Sequence, residues 1–155
     1  IDRLKLEELV TECVTIDVSR EAHESYLVSP AIIERFEGKH GKIPPRSLVI
    51  FYTGWSKQWG NPSAYHNNHA FPSISEAVAK LLVQRNVVGL GIDTFSCDTG
   101  KNGFPVHHTV LGADKYLVEN VANANMLPPV GAKIFVLPTK LKDATEAPVR
   151  LVALL

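Results

Sequence analysis

Cysteine is scarce in this chain: Cys13 and Cys97 are the only two among 155 residues. Two are too few for a disulfide framework, and this pair does not stand at a metal-ligand spacing. A reduced, cytoplasmic setting is therefore the expectation. Charge of one sign is also missing. Sixteen Lys and Arg balance sixteen Asp and Glu, and no basic run interleaves with aromatics, which argues against nucleic acid or an anionic membrane as principal partner. No apolar stretch approaches the roughly 18 residues of a membrane span, and the first residues do not read as a signal peptide. The chain begins Ile1-Asp2-Arg3-Leu4, and its one methionine is Met126. From this a segment upstream of Ile1 is expected. With 45% hydrophobic residues and no internal repeat, residues 1–155 suffice for one core and read as a single α/β domain.

What is present alternates strand-like and helix-like stretches. Leu4 to Val10 is short and amphipathic, and Cys13 to Val18 is a β-branched run that reads as the first strand. Ser29-Pro30 predicts a helix start, with Ala31, Ile32, Ile33 and Phe36 as its apolar face and Gly38 to Gly41 as its close. Ser47 to Thr53 reads as the second strand. Residues 54–72 then carry both tryptophans, Trp55 and Trp59, with Tyr65 and Phe71, and show no helical or strand period. A loop of that length is functional more often than idle. Trp55, at the strand end, is a candidate wall for a flat apolar substrate, the alternative being that the rings only seal the loop to the sheet. His66 and His69 stand at i, i+3 within it, as metal donors or as exposed histidines. Ser73-Ile74-Ser75-Glu76 predicts a capping box opening a helix to about Arg85-Asn86. Ala132 to Pro138 and Val149 to Leu155 read as the last strands, separated by a charged loop over 139–148.

The chemistry concentrates between Val87 and Asn120. Val87 to Ile92 is apolar or Gly without alternation, as expected of a strand covered on both faces. Such strands present chemistry at their carboxyl ends, and this one ends in Asp93-Thr94-Phe95-Ser96-Cys97-Asp98. His107-His108 follows, and then Glu119, where a buried run Tyr116-Leu117-Val118 has no packing use for a carboxylate. An imidazole and a carboxylate beside buried strands are metal-ligand types, so a metal site is the first expectation. A serine-nucleophile reading built on Ser96 lacks the G-x-S-x-G elbow and crowds Ser96, Asp98 and His107 together.

The ordered set Thr53-Gly54-Trp55, Gly91-Ile92-Asp93-Thr94 with Ser96 and Asp98, a histidine with Glu119-Asn120 twelve residues on, and Pro148-x-Arg150-x-x-Ala153 resembles the metal-dependent hydrolases of the cyclase or kynurenine formamidase family. The resemblance runs over nearly the whole chain. It implies a swivelling β/β/α fold with a mixed sheet, a divalent metal, zinc or manganese, and hydrolysis of a C–N bond in an amide, formamide or cyclic amide. It implies His107 and Glu119 as metal ligands and Trp55 against the ring of a small aromatic amide or lactam. Asp93 and Ser96 are candidates to orient ligands or water, the alternatives being a turn cap at a strand end and a plain loop hydroxyl, and His108, which matches a variable position of the family, reads as a helix-start residue or a support to the ligands. A homo-oligomer is implied as well. The family's main ligand motif, H-x-G-T-H-x-D-x-P-x-H, is not found in these residues, and the resemblance implies that it and the catalytic histidine lie upstream. A cyclase-fold protein that binds without turnover is the alternative.

Overall fold

The computed structural model describes residues 1–155. Six strands form one curled mixed sheet: β1 (Val10–Asp17), β3 (Leu48–Tyr52), β5 (Gly89–Ile92), β6 (Tyr116–Val118), β7 (Ala132–Pro138) and β8 (Val149–Leu154), in the order β6-β5-β3-β1-β7-β8. β1, β3, β5 and β6 are mutually parallel, and β7 runs antiparallel to both its neighbours, β1 and β8. The parallel strands are added in one direction, so right-handed crossovers place all three connecting helices on the same face. These are α2 (Pro30–His40), α4 (Glu76–Gln84) and α5 (Pro105–Leu111).

Side-chain alternation divides the core accordingly. Val49 and Phe51 of β3 pack with Ile33 of α2, Leu82 of α4 and Val106 and Val110 of α5. Leu48, Ile50 and Tyr52 point the other way, into a cluster with Val118, Val121, Ile134 and Val136. That second face is covered by Leu4 and Leu9 near the start of the chain, by the segment after β6, and by the curl of β7 and β8. β3 and β5 are buried at every position, as their uninterrupted apolar sequences predict. Where β5 meets β6 the backbones leave no room for a side chain, since a Cβ on Gly89 would lie 2.6 Å from the Tyr116 carbonyl.

Three local expectations need correction. The first strand, expected over Cys13 to Val18, begins earlier: β1 already takes in Val10 to Glu12, and the amphipathic stretch before it is helical over Leu6–Leu9, α1. The cap of α4 is Ser75, whose Oγ accepts from Val78 N at 3.3 Å, and not Ser73. Ser73–Ile74 is β4, paired in parallel with β2 (Leu27–Val28), and burying Ile74 to 1% exposure outweighs one more turn of helix. Residues 54–72 are not without structure either: α3 spans Pro62–His66, started by Asn61, whose side chain accepts from Ala64 N, with Pro62 at the first position. That Asn-Pro pair was the available signal. No helix is long and apolar enough to cross a membrane.

Candidate metal and substrate site

The carboxyl ends of β3, β5 and β6 lie side by side, so Thr53-Trp55, Asp93 to Asp98 and Glu119 meet at one edge of the sheet. α5 returns to the same place and brings His107. His107 Nε2 stands 3.5 Å from Glu119 Oε1, with both side chains 28% exposed. That is too long for a good hydrogen bond. On the other side of the ring Nδ1 is 2.5 Å from Asp98 Oδ1. Asp98 is buried and also accepts from Val106 N at 2.5 Å and His107 N at 3.4 Å. With two backbone donors and a ring nitrogen converging on it, the carboxylate acts as acceptor and assigns the imidazole proton to Nδ1. The Nε2 lone pair therefore faces a carboxylate oxygen across an unbridged gap. Two donors each about 2.1 Å from a tetrahedral ion stand about 3.4 Å apart, so this pair fits two ligands of one cation. The Asp98 hydrogen bond raises the His107 pKa above its ordinary value, burial opposes it, and the charges of Asp98, Glu119 and Glu146 add to it.

Glu119 is itself held. Its Oε1 accepts from Ser96 Oγ at 2.8 Å and from Cys97 N at 3.0 Å. Ser96 is thus a direct hydrogen-bond partner of the Glu119 carboxylate. Cys97 is fully buried, its thiol pushed well above its usual range first by burial and then by the neighbouring Glu119 and Asp98 charges.

Asp93 does something different. Completely buried, it accepts from Thr53 N (2.7 Å), Thr53 Oγ1 (2.6 Å), Ser56 N (3.2 Å) and Ser56 Oγ (3.0 Å). It ties the loop after β3 to the end of β5 and touches neither His107 nor Glu119. His108 departs from expectation: one residue along α5 from His107 is a turn of about 100°, which leaves it exposed and out of the network around Asp98 and Glu119. His66 and His69 meet ring to ring at 4.1 Å and pack edge-on against Phe95. Nowhere do three His, Cys, Asp or Glu side chains converge as a complete metal site.

The two tryptophans divide their roles. Trp55 Nε1 donates to the Tyr65 carbonyl at 2.8 Å, which pins the loop. Trp59 stacks on the Tyr65 ring (centroids 5.7 Å apart, 18° between planes) and lines a cavity of about 850 Å³ that Glu119 also lines. The Tyr65 hydroxyl lies 2.9 Å from Asn120 Oδ1 and 3.1 Å from Asp93 O, and burial, reinforced by the Asp93 and Glu119 charges, pushes its pKa up, so it stays a donor. Asp98 and Trp59 are the residues that sequence reasoning passed over. Asp98 entered only as the last letter of a pattern and as a member of the crowded serine-nucleophile arrangement, and Trp59 only as one ring of a loop.

A family model described as putative cyclase matches residues 1–99. Isatin hydrolase of Roseibium aggregatum is 28% identical over 165 residues, covering 99% of this chain and 62% of that protein. Kynurenine formamidase of Polaromonas naphthalenivorans is 30% identical over 109 residues, 70% of this chain and 44% of the relative. Among solved structures, an isatin hydrolase bound to the product analogue thioisatinate superimposes with a TM-score of 0.95 at 26% identity, over 99% of this chain and 63% of that one. The chain spans less than two thirds of the length of these relatives.

Proposed function

Because the chain belongs to the putative cyclase family, we propose that it serves in the hydrolysis of a C–N bond in an amide, formamide or cyclic amide, with His107 and Glu119 as two ligands of a divalent zinc or manganese ion. The observation that carries this reading is the His107 Nε2 to Glu119 Oε1 gap of 3.5 Å, with Nδ1 already committed to Asp98. Two relatives are named isatin hydrolase and kynurenine formamidase, which supports amide-type substrates. When bound, such an ion lowers the pKa of a water from 15.7 towards about 7 and polarises a carbonyl.

The residues of this chain have separate tasks in that reaction. Asp98 keeps the Nε2 lone pair of His107 outward, and Ser96 with the Cys97 amide holds Oε1 of Glu119. Asp93 ties the aromatic loop to the end of β5 and Trp55 pins it internally at the Tyr65 carbonyl, which gives the substrate a preformed wall. A catalytic zinc takes three protein ligands plus water, so further donors are needed, from elsewhere in the gene product or from a second copy in a homo-oligomer.

The same shortfall of donors favours a second reading, a cyclase-fold protein that binds its ligand without turnover. Elemental analysis of the full-length gene product and of residues 1–155, after incubation with zinc and manganese, separates the two. Metal near one or two equivalents in the full-length protein, with cleavage of an aryl formamide or a lactam, is expected. No metal in either protein would sink the hydrolase reading.

A further inference from the structure

The 850 Å³ cavity beside Glu119 has a size typical of small-molecule sites, and one of its walls is unusually rigid. Trp59 is 46% exposed, yet its inner face rests on Tyr65, which is only 8% exposed and anchored at both ends. The Tyr65 hydroxyl is held at Asn120, next to Glu119 in the chain, and the Tyr65 carbonyl receives the Trp55 indole N–H. A large, flat, preorganised ring surface is thus presented to the cavity and linked through Tyr65 and Asn120 to the residue that holds Oε1 toward His107. Aromatic rings stack in offset geometry on such surfaces and lose little entropy in doing so. Nothing in the packing of the domain needs the outer face of Trp59, since the core clusters on both faces of the sheet are complete without it.

From this we infer that Trp59 is the specificity-determining wall of the site, stacking the flat ring of an aromatic amide or lactam and selecting it over a saturated analogue. Trp55 acts through Tyr65 as the residue that positions that wall. The inference rests on the hydrolase reading for the reaction but not for the binding.

The test compares N-phenylformamide with N-cyclohexylformamide, which share ring size but not flatness, on the metal-loaded full-length gene product and its Trp59→Ala and Trp59→Phe variants. In Trp59→Ala the kcat/KM ratio of aryl over cyclohexyl substrate is expected to fall by at least about fivefold, mainly through KM, and Trp59→Phe to restore most of it. A merely structural role would lower both substrates alike, and a ratio within about twofold of the parent overturns the inference. A second readout needs no turnover. Saturable quenching of tryptophan fluorescence by 2-nitrobenzoate should vanish in Trp59→Phe and remain in Trp55→Phe with a higher half-saturating concentration, since that variant loses the N–H that pins Tyr65; quenching that survives unchanged in Trp59→Phe also overturns it. If the parent cleaves neither formamide while 2-nitrobenzoate still quenches through Trp59, the hydrolase reading falls and the aromatic wall stands.

Discussion

Replacing Asp98 with Asn tests whether His107 is built as a metal ligand. The carboxylate serves three donors with two oxygens: Val106 N and His107 N on one, the imidazole Nδ1 on the other. An asparagine has one acceptor oxygen and one NH2. If the oxygen stays under the first turn of α5, the NH2 faces Nδ1, which must then accept, and the ring proton moves to Nε2. If the amide is turned the other way, two backbone N–H groups face an NH2, and leaving such buried donors unsatisfied costs roughly 1–3 kcal/mol. The tautomer exchange is therefore the favoured outcome, and it places an N–H where the lone pair faced Glu119 across 3.5 Å. Loss of such a supporting carboxylate typically costs about 10- to 100-fold in metal affinity, or roughly 1.4–2.7 kcal/mol. The fold should tolerate the change, since α5 keeps an acceptor for its N–H groups and loses only a charge near its first turn, of order 0.5–1 kcal/mol. Calorimetric titration of the full-length gene product with zinc and with manganese measures the affinity, and long-range ¹H–¹⁵N correlation of the imidazole reads the tautomer. A folded Asp98→Asn variant that binds both metals within about threefold of the parent would refute the reasoning.

Three further outcomes are expected. Glu37 is buried among Arg85 (3.0 Å), Lys42 (2.5 Å) and the Ile43 amide (3.3 Å), and these donors, Arg85 foremost, hold its pKa down from 4.5 to about 2. A depressed carboxylate stabilises fully above its unfolded pKa, so Glu37→Gln should lower the Tm by about 3 °C or more at pH 7, with the gap to the parent closing as pH falls from 4.5 to 2; a gap that is constant with pH contradicts this. Gly89→Ala would drive a methyl to within 2.6 Å of the Tyr116 carbonyl and 2.7 Å of its ring, and should cost about 1–3 kcal/mol in urea denaturation, whereas an unchanged midpoint would show that β5 and β6 separate freely. Burial holds the Cys13 thiol up at about 11 and Cys97 well above its usual range, so neither should react with a disulfide reagent at pH 8 until the protein is unfolded. Rapid labelling of the native protein at either position would count against the described packing.

Local patterns carried a good deal of this protein on their own. The unbroken apolar runs at β3 and β5, the Ser29-Pro30 helix start and the β-branched stretch leading into β1 specify their elements because burial and capping act over a few neighbouring residues. Chain position alone places chemistry at the end of β5, and the resemblance to the cyclase family, through its twelve-residue spacing, singles out His107 and Glu119, the pair that the fold brings to 3.5 Å. Other features depend on contacts between residues far apart in the chain. Ser75 rather than Ser73 caps α4 because Ile74 is drawn into pairing with β2. Trp59 rather than Trp55 faces the cavity because Tyr65, folded under the loop and anchored to Asn120, accepts one indole N–H and stacks under the other ring. Asp98 becomes the partner of His107 only when the start of α5 settles onto the end of β5, and Asp93 turns out to hold a loop because its four donors arrive from the segment after β3, 37 to 40 residues away. Residue type sets which groups are able to bind a metal or stack a ring; the three-dimensional convergence of strand ends decides which of them have a partner left to meet.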